Sequence, residues 1–146
     1  MRSPSPPAWF LAALVAMQGL EALAPGPQLV GKPWRLLGLL PIGAGIALHA
    51  WASRTFVRAG TTIEPEGRPA ALVREGPYAL TRNPMYLAGV PILLGWAVLL
   101  GVATPFPILL GYPLLASRWI AREEATLERR FGAEWAGYAD AVRRWV

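Results

Sequence analysis

The sequence predicts an all-α integral membrane protein with about four transmembrane helices, the last two forming a helical hairpin that leads into a cytoplasmic C-terminal helix. Hydrophobic residues make up 54% of the 146 residues and charged residues only 16%, whereas soluble domains carry about 25% charged residues. Three apolar stretches, residues 8–24, 34–52 and 84–116, approach or exceed the roughly 20 residues that cross a bilayer. Residues 83–117 carry no charge at all.

Residues 8–24 predict an N-terminal anchor helix. The alternative is a secretory signal peptide, with Arg2 ahead of the apolar stretch and a possible cleavage site at residues 22–24. Pro25 directly after that site argues against cleavage. Together with the second helix, residues 34–52, this segment forms the anchor part, residues 1–58, of a single domain that spans residues 1–146. Residues 59–146 form the remaining part of the domain.

The third stretch, residues 84–116, is too long for one crossing at about 1.5 Å per residue. Pro105 and Pro107 lie near its middle, and proline breaks a helix by removing a backbone donor. We therefore expect two helices joined by a turn at these prolines. The second helix should continue into the cytoplasm, because apolar and acidic residues recur at helical spacing from residue 120 to 131 before Gly132.

The formal net charge of +5 is unevenly distributed, with arginines on both flanks of the hairpin and none at its tip. The flanking arginines are Arg54, Arg58, Arg68, Arg74 and Arg82 on one side and Arg118, Arg122, Arg129, Arg130, Arg143 and Arg144 on the other. The positive-inside rule places both termini in the cytoplasm and the chain as a multi-pass protein in the cell inner membrane. Anionic membrane lipids, and not nucleic acids, are the expected partners. The absence of cysteine excludes thiolate metal sites, and we predict no metal site.

Polar side chains cluster at both ends of the uncharged span. Asn83 and Pro84 suit a helix start as N-cap and first-turn residues, and Arg82 and Tyr86 lie beside them. At the other end, residues 123–124 are a pair of glutamates, which on its own is typical of a solvated helix face. Closure of the hairpin would bring the glutamates to Arg82 and Tyr86. Opposite charges with phenols at a membrane surface suit a zwitterionic cofactor.

The second half of the chain resembles the isoprenylcysteine carboxyl methyltransferases and their relatives, the phospholipid N-methyltransferases. The resemblance covers residues 72–146. It rests on Leu72-Val73, Gly76-Pro77-Tyr78, Arg82-Asn83-Pro84-Met85-Tyr86, Glu123-Glu124-Ala125-Thr126-Leu127, Phe131-Gly132 and the segment from Tyr138 to Arg144. Each motif is weak alone, but their order and spacing are fairly specific.

The resemblance implies that S-adenosylmethionine is the cofactor and that a lipophilic acceptor enters from the bilayer. The cofactor-binding residues would be Leu72, Val73, Gly76, Tyr78, Asn83, Pro84, Met85, Tyr86 and Glu123. Arg82 would be the cation beside the reacting centre, and Glu124 the base for an amine acceptor. The family usually has histidine where Asn83 stands. Trp119 stands where the family has an arginine for the acceptor carboxylate, so either Arg118 or Arg122 replaces it or the acceptor differs. On this resemblance, residues 59–146 would be the cofactor-binding and catalytic part of the domain.

These expectations combine into S-adenosylmethionine-dependent methyl transfer at the cytoplasmic face, with carboxyl methylation of an isoprenylcysteine-like substrate as the first hypothesis. Alternatives are a phosphatidylethanolamine-type N-methyltransferase, a sterol-reductase-like membrane reductase and a non-enzymatic membrane scaffold. The expected partners are a lipophilic or lipid-linked substrate and membrane lipids. The sequence does not specify the oligomeric state.

Overall fold

The computed structural model describes residues 6–60 and 71–146. Across these residues the chain forms five α-helices and two short 3₁₀ turns, with a single β-bridge and no strand. The helices are α1 (Pro6–Leu23), α2 (Leu39–Arg58), α3 (Pro84–Leu100), α4 (Phe106–Phe131) and α5 (Ala133–Ala141), and the 3₁₀ turns are Trp34–Gly38 and Gly76–Ala79. The all-α prediction is confirmed. The predicted connector around residues 61–70 lies outside the described residues.

The closest pairing in the fold joins α2 to α3, which run antiparallel. A Cβ atom added at Gly38 would meet the carbonyl oxygen of Gly95, and one added at Gly45 would meet Ile92 and the carbonyl oxygen of Ala88. Because glycine has no side chain, the two backbones approach closely at Gly38 and Gly45, as is common between membrane helices. We call this contact the α2–α3 seam. The seam fixes where α3 begins relative to α2, and the candidate site lies at that beginning.

The hairpin of α3 and α4 has its turn close to the predicted prolines. Gly101 ends α3 with a φ of 73°, a left-handed conformation that glycine adopts without steric cost. Pro105 then precedes α4. The Gly101 carbonyl oxygen accepts hydrogen bonds from the backbone N–H groups of Leu29 and Val30, at 2.9 and 3.1 Å. The loop after α1 therefore closes over the hairpin turn, at the end of the fold away from the start of α3.

A buried apolar cluster holds α1 against the hairpin. Met17 of α1, Leu93 and Ala97 of α3 and Leu109 of α4 form its centre. Met17 and Leu93 are completely buried, and burying a side chain of this size contributes about 1.5–3 kcal/mol. α1 is thus packed onto the domain along its length and does not stand apart as a separate anchor.

The outer surface of the helices is apolar. Leu40 on α2 and Leu110 and Leu114 on α4 are each at least 70% exposed, a pattern expected where lipid tails replace water. By length and composition, residues 34–58 form one helix that is able to cross a membrane, whereas the apolar helices Ala8–Leu23 and Pro84–Leu100 are shorter. A membrane-type helix is present, and four crossings stay a prediction, as does the division into residues 1–58 and 59–146.

The C-terminal segment differs from its sequence-based expectation. The aromatic residues of residues 133–146 suggest a belt lying on the membrane interface, but Trp135 and Tyr138 are each only 5% exposed. The hydroxyl of Tyr138 donates a hydrogen bond of 2.7 Å to the backbone carbonyl of Tyr78. The rings pack inward because the loop before α3 offers them a polar partner and apolar cover. α5 is therefore part of the protein core at this end.

The α2–α3 seam predicts a position-dependent effect of adding one methyl group. Gly38→Ala places a Cβ against the Gly95 backbone, and overpacking of this kind costs about 1–3 kcal/mol. We expect a lower Tm and a lower free energy of unfolding in detergent micelles. Gly43→Ala is the matched control, since its Cβ would meet open space. Equal stability of the two variants would contradict the close seam.

Candidate functional site

The loop before α3 is held between α2 and α5. Tyr78 is 6% exposed, and its ring packs edge-on against Phe56 of α2 with centroids 4.9 Å apart. Gly76 has a φ of 60°, and a Cβ there would lie 3.2 Å from the indole nitrogen of Trp51. Glycine permits the chain to turn this close to α2. Packing therefore holds the loop in a fixed position at the end of the domain.

Besides Gly76, four predicted cofactor-binding residues lie in or next to this loop. Val73 and Tyr78 form a buried cluster with Ala52 of α2, and Met85 packs against it. Leu72, next to Val73, is half-buried. The structure thus brings together residues that are separated by up to 13 positions, although it does not test whether they contact a cofactor.

The hairpin closes as the sequence predicts, and it joins Tyr86 to Glu123. The hydroxyl of Tyr86 on α3 donates a hydrogen bond of 2.7 Å to Oε1 of Glu123 on α4. Burial raises the pKa of Glu123 above that of an exposed glutamate, the bond from Tyr86 opposes this rise, and the neighbouring charge of Glu124 adds to it. Burial also raises the pKa of Tyr78, with smaller contributions from Tyr138 and Glu123. Glu123 is therefore a partly desolvated carboxylate that is hydrogen-bonded to one phenol.

The second glutamate has a different environment, because it is shared between two arginines. The guanidinium of Arg144 donates two hydrogen bonds to Oε2 of Glu124, at 3.1 Å from Nε and 2.5 Å from Nη2. Nε of Arg82 lies 3.5 Å from Oε1 of Glu124. The Arg82 guanidinium also lies over the Trp135 ring, 5.7 Å from its centroid. This arrangement suits an ion-pair role for Glu124 better than the predicted role of base.

Two buried polar atoms in this ion pair lack a hydrogen bond. Within the described part of the chain, Nε of Arg82 and Oε1 of Glu124 are shielded from solvent and have no hydrogen-bonding partner. Such groups usually find partners, and each unmade bond costs about 1–3 kcal/mol. The two atoms face each other at 3.5 Å, so their opposite charges compensate each other although no hydrogen bond forms.

Asn83 does not have the capping role that its position suggests. It precedes α3 and Pro84 takes the first turn as predicted, but the Asn83 side chain caps no backbone N–H group of the helix. Its amide instead donates a hydrogen bond of 3.1 Å to the carbonyl oxygen of Arg144. The tail competes for this side chain because it passes directly beside the start of α3, which the sequence pattern did not indicate.

The two arginines predicted to hold the acceptor lie further out. Arg118 and Arg122 are exposed on α4, and the Arg122 guanidinium lies over the ring of Trp119, 5.1 Å from its centroid. Trp119 in turn contacts Trp9 of α1, with ring centroids 6.1 Å apart. The Arg122 guanidinium therefore packs against this aromatic pair. The role of Arg118 stays a prediction.

An apolar cleft leads from this aromatic pair to Tyr86. Its volume is about 50 Å³ and it lies between α1, α3 and α4. The lining residues are Trp9, Ala13, Tyr86, Ile108, Tyr112, Leu115, Ala116 and Trp119. A space of this size admits a few atoms, so a larger group enters only if the side chains move apart. The cleft thus reaches Tyr86, the partner of Glu123, from the Trp9–Trp119 pair.

Comparison with known proteins identifies the family of the chain. The sequence model of the phospholipid methyltransferase family matches residues 34–134, from the start of the membrane helix to the beginning of α5. The chain belongs to the phospholipid methyltransferase family. The predicted relationship is confirmed, and with it a methyltransferase assignment; the specific isoprenylcysteine activity stays a prediction. α1, with Trp9 and Ala13, lies outside the matched region.

One curated protein matches part of this chain. It is an uncharacterized protein of Haemophilus influenzae that is 40% identical over 63 residues, which are 42% of this chain and 100% of the relative. No solved structure matches. The relative is similar in sequence and carries no statement of activity.

Several residues that organise the site were not predicted from the sequence. Thr81 directly precedes Arg82, whereas Arg144, Trp135 and Tyr138 contact the predicted residues although no local spacing connects them to α3 or α4. The segment from Tyr138 to Arg144 contributes to the resemblance, which was the one available signal. Their roles depend on α5 folding back over the loop before α3.

The raised pKa of Glu123 predicts a stability effect with a defined sign. The stability that the neutral carboxyl contributes is present below the unfolded-state pKa of 4.5 and is lost as pH rises through the higher folded-state pKa. We expect Glu123→Gln to raise Tm at about pH 8, with the difference from wild type vanishing near pH 4. Thermal denaturation in detergent measures the Tm of the variant and of the wild type at each pH. Glu128→Gln, on an exposed position of the same helix, is the control; a Tm of Glu123→Gln below wild type at high pH would contradict the assignment.

Proposed function

We propose that the protein transfers a methyl group from S-adenosylmethionine to the polar head of a lipophilic acceptor at the cytoplasmic face of the membrane. The observation that carries this proposal is the hydrogen bond between Tyr86 and Glu123, which lies where the apolar cleft meets the charged end of the domain. A polar reacting group and a lipophilic chain would need these two environments side by side. Membership of the phospholipid methyltransferase family supports the type of reaction.

The residues present fit the proposed cofactor. S-adenosylmethionine carries an ammonium and a carboxylate group, and the Arg82–Glu124 ion pair places one charge of each sign at this end of the domain. Glu123 and the phenol of Tyr86, which donates a hydrogen bond to it, provide further polar groups, and hydrogen bonds to charged groups are strong. When bound, the cofactor supplies an electrophilic methyl group. The side chains of this chain would hold the acceptor in line with it, and such positioning is worth about 7–11 kcal/mol.

The cleft supports a lipophilic acceptor. Its walls combine aromatic and aliphatic side chains from three helices, and Tyr112, which lines it, donates a hydrogen bond of 3.2 Å to the carbonyl of Tyr86. An apolar group lying between α1 and α4 would bring its polar head toward Tyr86 and would exclude water from the reacting end. The side chains would part to admit it, because the present volume is small.

An amine acceptor is favoured by the environment of Glu123. A carboxylate whose pKa is raised by burial attracts a cationic head, and it accepts a proton from an amine more readily than an exposed glutamate does. This supports phospholipid-type N-methylation with Glu123, and not Glu124, as the base. Carboxyl methylation of an isoprenylcysteine-like acceptor is the second candidate. It is supported by Arg122 on the rim of the cleft, where an acceptor carboxylate would find a cation.

The distribution of arginines supports the proposed membrane orientation. The candidate site, the start of α3 and the tail lie at one end, together with Arg54 and Arg58 at the end of α2. The positive-inside rule places such an end in the cytoplasm. The shorter helices α1 and α3 and the apolar first half of α4 would complete a multi-pass arrangement around residues 34–58.

Cofactor binding tests the placement of the pocket. Wild-type protein in detergent should bind S-adenosylhomocysteine in the micromolar range, measured by calorimetry. Tyr86→Ala and Glu123→Ala are each expected to weaken binding by about tenfold or more, since each removes a buried hydrogen bond to a charged group. Leu110→Ala, at a position exposed to lipid, should bind like wild type. Absence of binding by the wild type would contradict the proposed function, and unchanged affinity of both variants would contradict the pocket.

The acceptor is tested by activity with two lipid classes. We expect methylation of an amine-bearing phospholipid in mixed micelles, detected by mass spectrometry, with a rate that rises with pH as the amine loses its proton. A prenylated cysteine carboxylate would instead give a rate that is flat near neutral pH, because no proton need be removed. Glu123→Gln should reduce the rate of amine methylation by at least about a hundredfold. Exclusive carboxylate methylation would overturn the assignment of Glu123 as base.

A further inference from the structure

The tail that follows α5 contacts three consecutive residues at the start of α3. The backbone N–H of Arg82 donates a hydrogen bond of 2.9 Å to the carbonyl of Arg143. The carbonyl of Arg144 accepts two more, from the hydroxyl of Thr81 at 3.0 Å and from the side-chain amide of Asn83 at 3.1 Å. The tail therefore fixes the backbone and side chains on both sides of the proposed catalytic cation.

The far end of the tail is attached to α4. The indole N–H of Trp145 lies 3.3 Å from the hydroxyl oxygen of Ser117, to which it donates a hydrogen bond. Between this anchor and the start of α3, the side chain of Arg144 reaches Glu124. A single short segment thus connects the two helices of the hairpin at their charged end.

Arg144 also determines how the carboxylate of Glu124 is oriented. Both of its donors bind the same oxygen, Oε2, so that Oε1 is turned toward Nε of Arg82. The Glu124 side chain is 11% exposed, and a buried carboxylate that loses a cation becomes poorly compensated. Without Arg144, Arg82 would be the remaining partner in these contacts, and its guanidinium would be drawn toward the carboxylate.

We propose that Arg144 is a positioning residue: through Glu124 it sets the place and orientation of the Arg82 guanidinium in the methyl-transfer site. This inference rests on the proposed function. Arg144 contacts neither cofactor nor acceptor in this scheme, and its effect reaches the reacting groups only through the shared carboxylate. The tail backbone supports the same residue by holding the Arg82 N–H.

The test is a double-mutant cycle with S-adenosylhomocysteine binding as the readout. Arg144→Gln is expected to reduce affinity by about tenfold, and Arg144→Lys to recover part of the loss, because an ammonium keeps the charge but not the two-donor fork. In a background of Glu124→Gln, adding Arg144→Gln should cost nothing further, since the carboxylate through which it acts is gone. Arg143→Gln is the matched control: its side chain is exposed, and its backbone carbonyl survives the substitution.

A merely structural role of the tail gives a different result. In that case Arg144→Gln would lower Tm without changing the affinity of the folded fraction, or the losses from the two substitutions would add; either outcome overturns the inference. If Arg144→Gln does not fold, the same cycle is run with Arg144→Lys, and additivity again decides against it. Failure of the wild type to bind the ligand would instead refute the proposed function, so the two failures are distinguishable.

Discussion

Two adjacent carboxylates, Glu123 half-buried and Glu124 buried, lie at the end of an apolar hairpin, and the rest of the charged end is arranged around them. Removing a carboxylate from water costs several kcal/mol unless hydrogen bonds or counter-charges compensate it. Glu123 receives a phenol, and Glu124 receives two guanidinium groups. These partners come from the start of α3 and from the tail, so the same contacts that compensate the charges also hold three parts of the chain together. Neighbouring residues thereby acquire different environments, one hydrogen-bonded to a phenol and one held in an ion pair with two arginines.

This constraint connects the fold to the proposed reaction. The α2–α3 seam sets the position of the loop before α3, α5 covers that loop, and the tail then reaches Glu124. Apolar surface surrounds the remaining length of the described helices, so the charged end is where the proposed cofactor and acceptor head group would meet. The cleft between α1 and α4 reaches Tyr86 at this end. α1, which contributes Trp9 and Ala13 to the cleft, lies outside the region that matches the family.

The helical fold and the part of the site on α3 and α4 were predictable because they depend on local patterns. An uncharged run interrupted by Pro105 and Pro107 predicts a hairpin. Helical spacing after residue 117 places the glutamates at the end of the hairpin opposite its turn. These patterns predicted that the glutamate pair would lie near Arg82 and Tyr86, and the structure shows Tyr86 bonded to Glu123. The capping role of Asn83 was wrong for a physical reason: propensity describes a helix end in water, and here a carbonyl of the tail supplies a competing partner. The interfacial position of Trp135 was wrong in the same way, since a tertiary partner replaced the membrane surface.

The sequence by itself determined the helices, the hairpin, the apolar character and the resemblance to membrane methyltransferases, because each follows from composition, spacing or short motifs. The tertiary structure alone decided which glutamate is paired and with what. Arg82, Glu124 and Arg144 are separated by 42 and 20 positions along the chain, and no periodicity relates them. Their contact depends on α5 folding back against Tyr78, and a buried charge then recruits whichever cation that packing brings within reach.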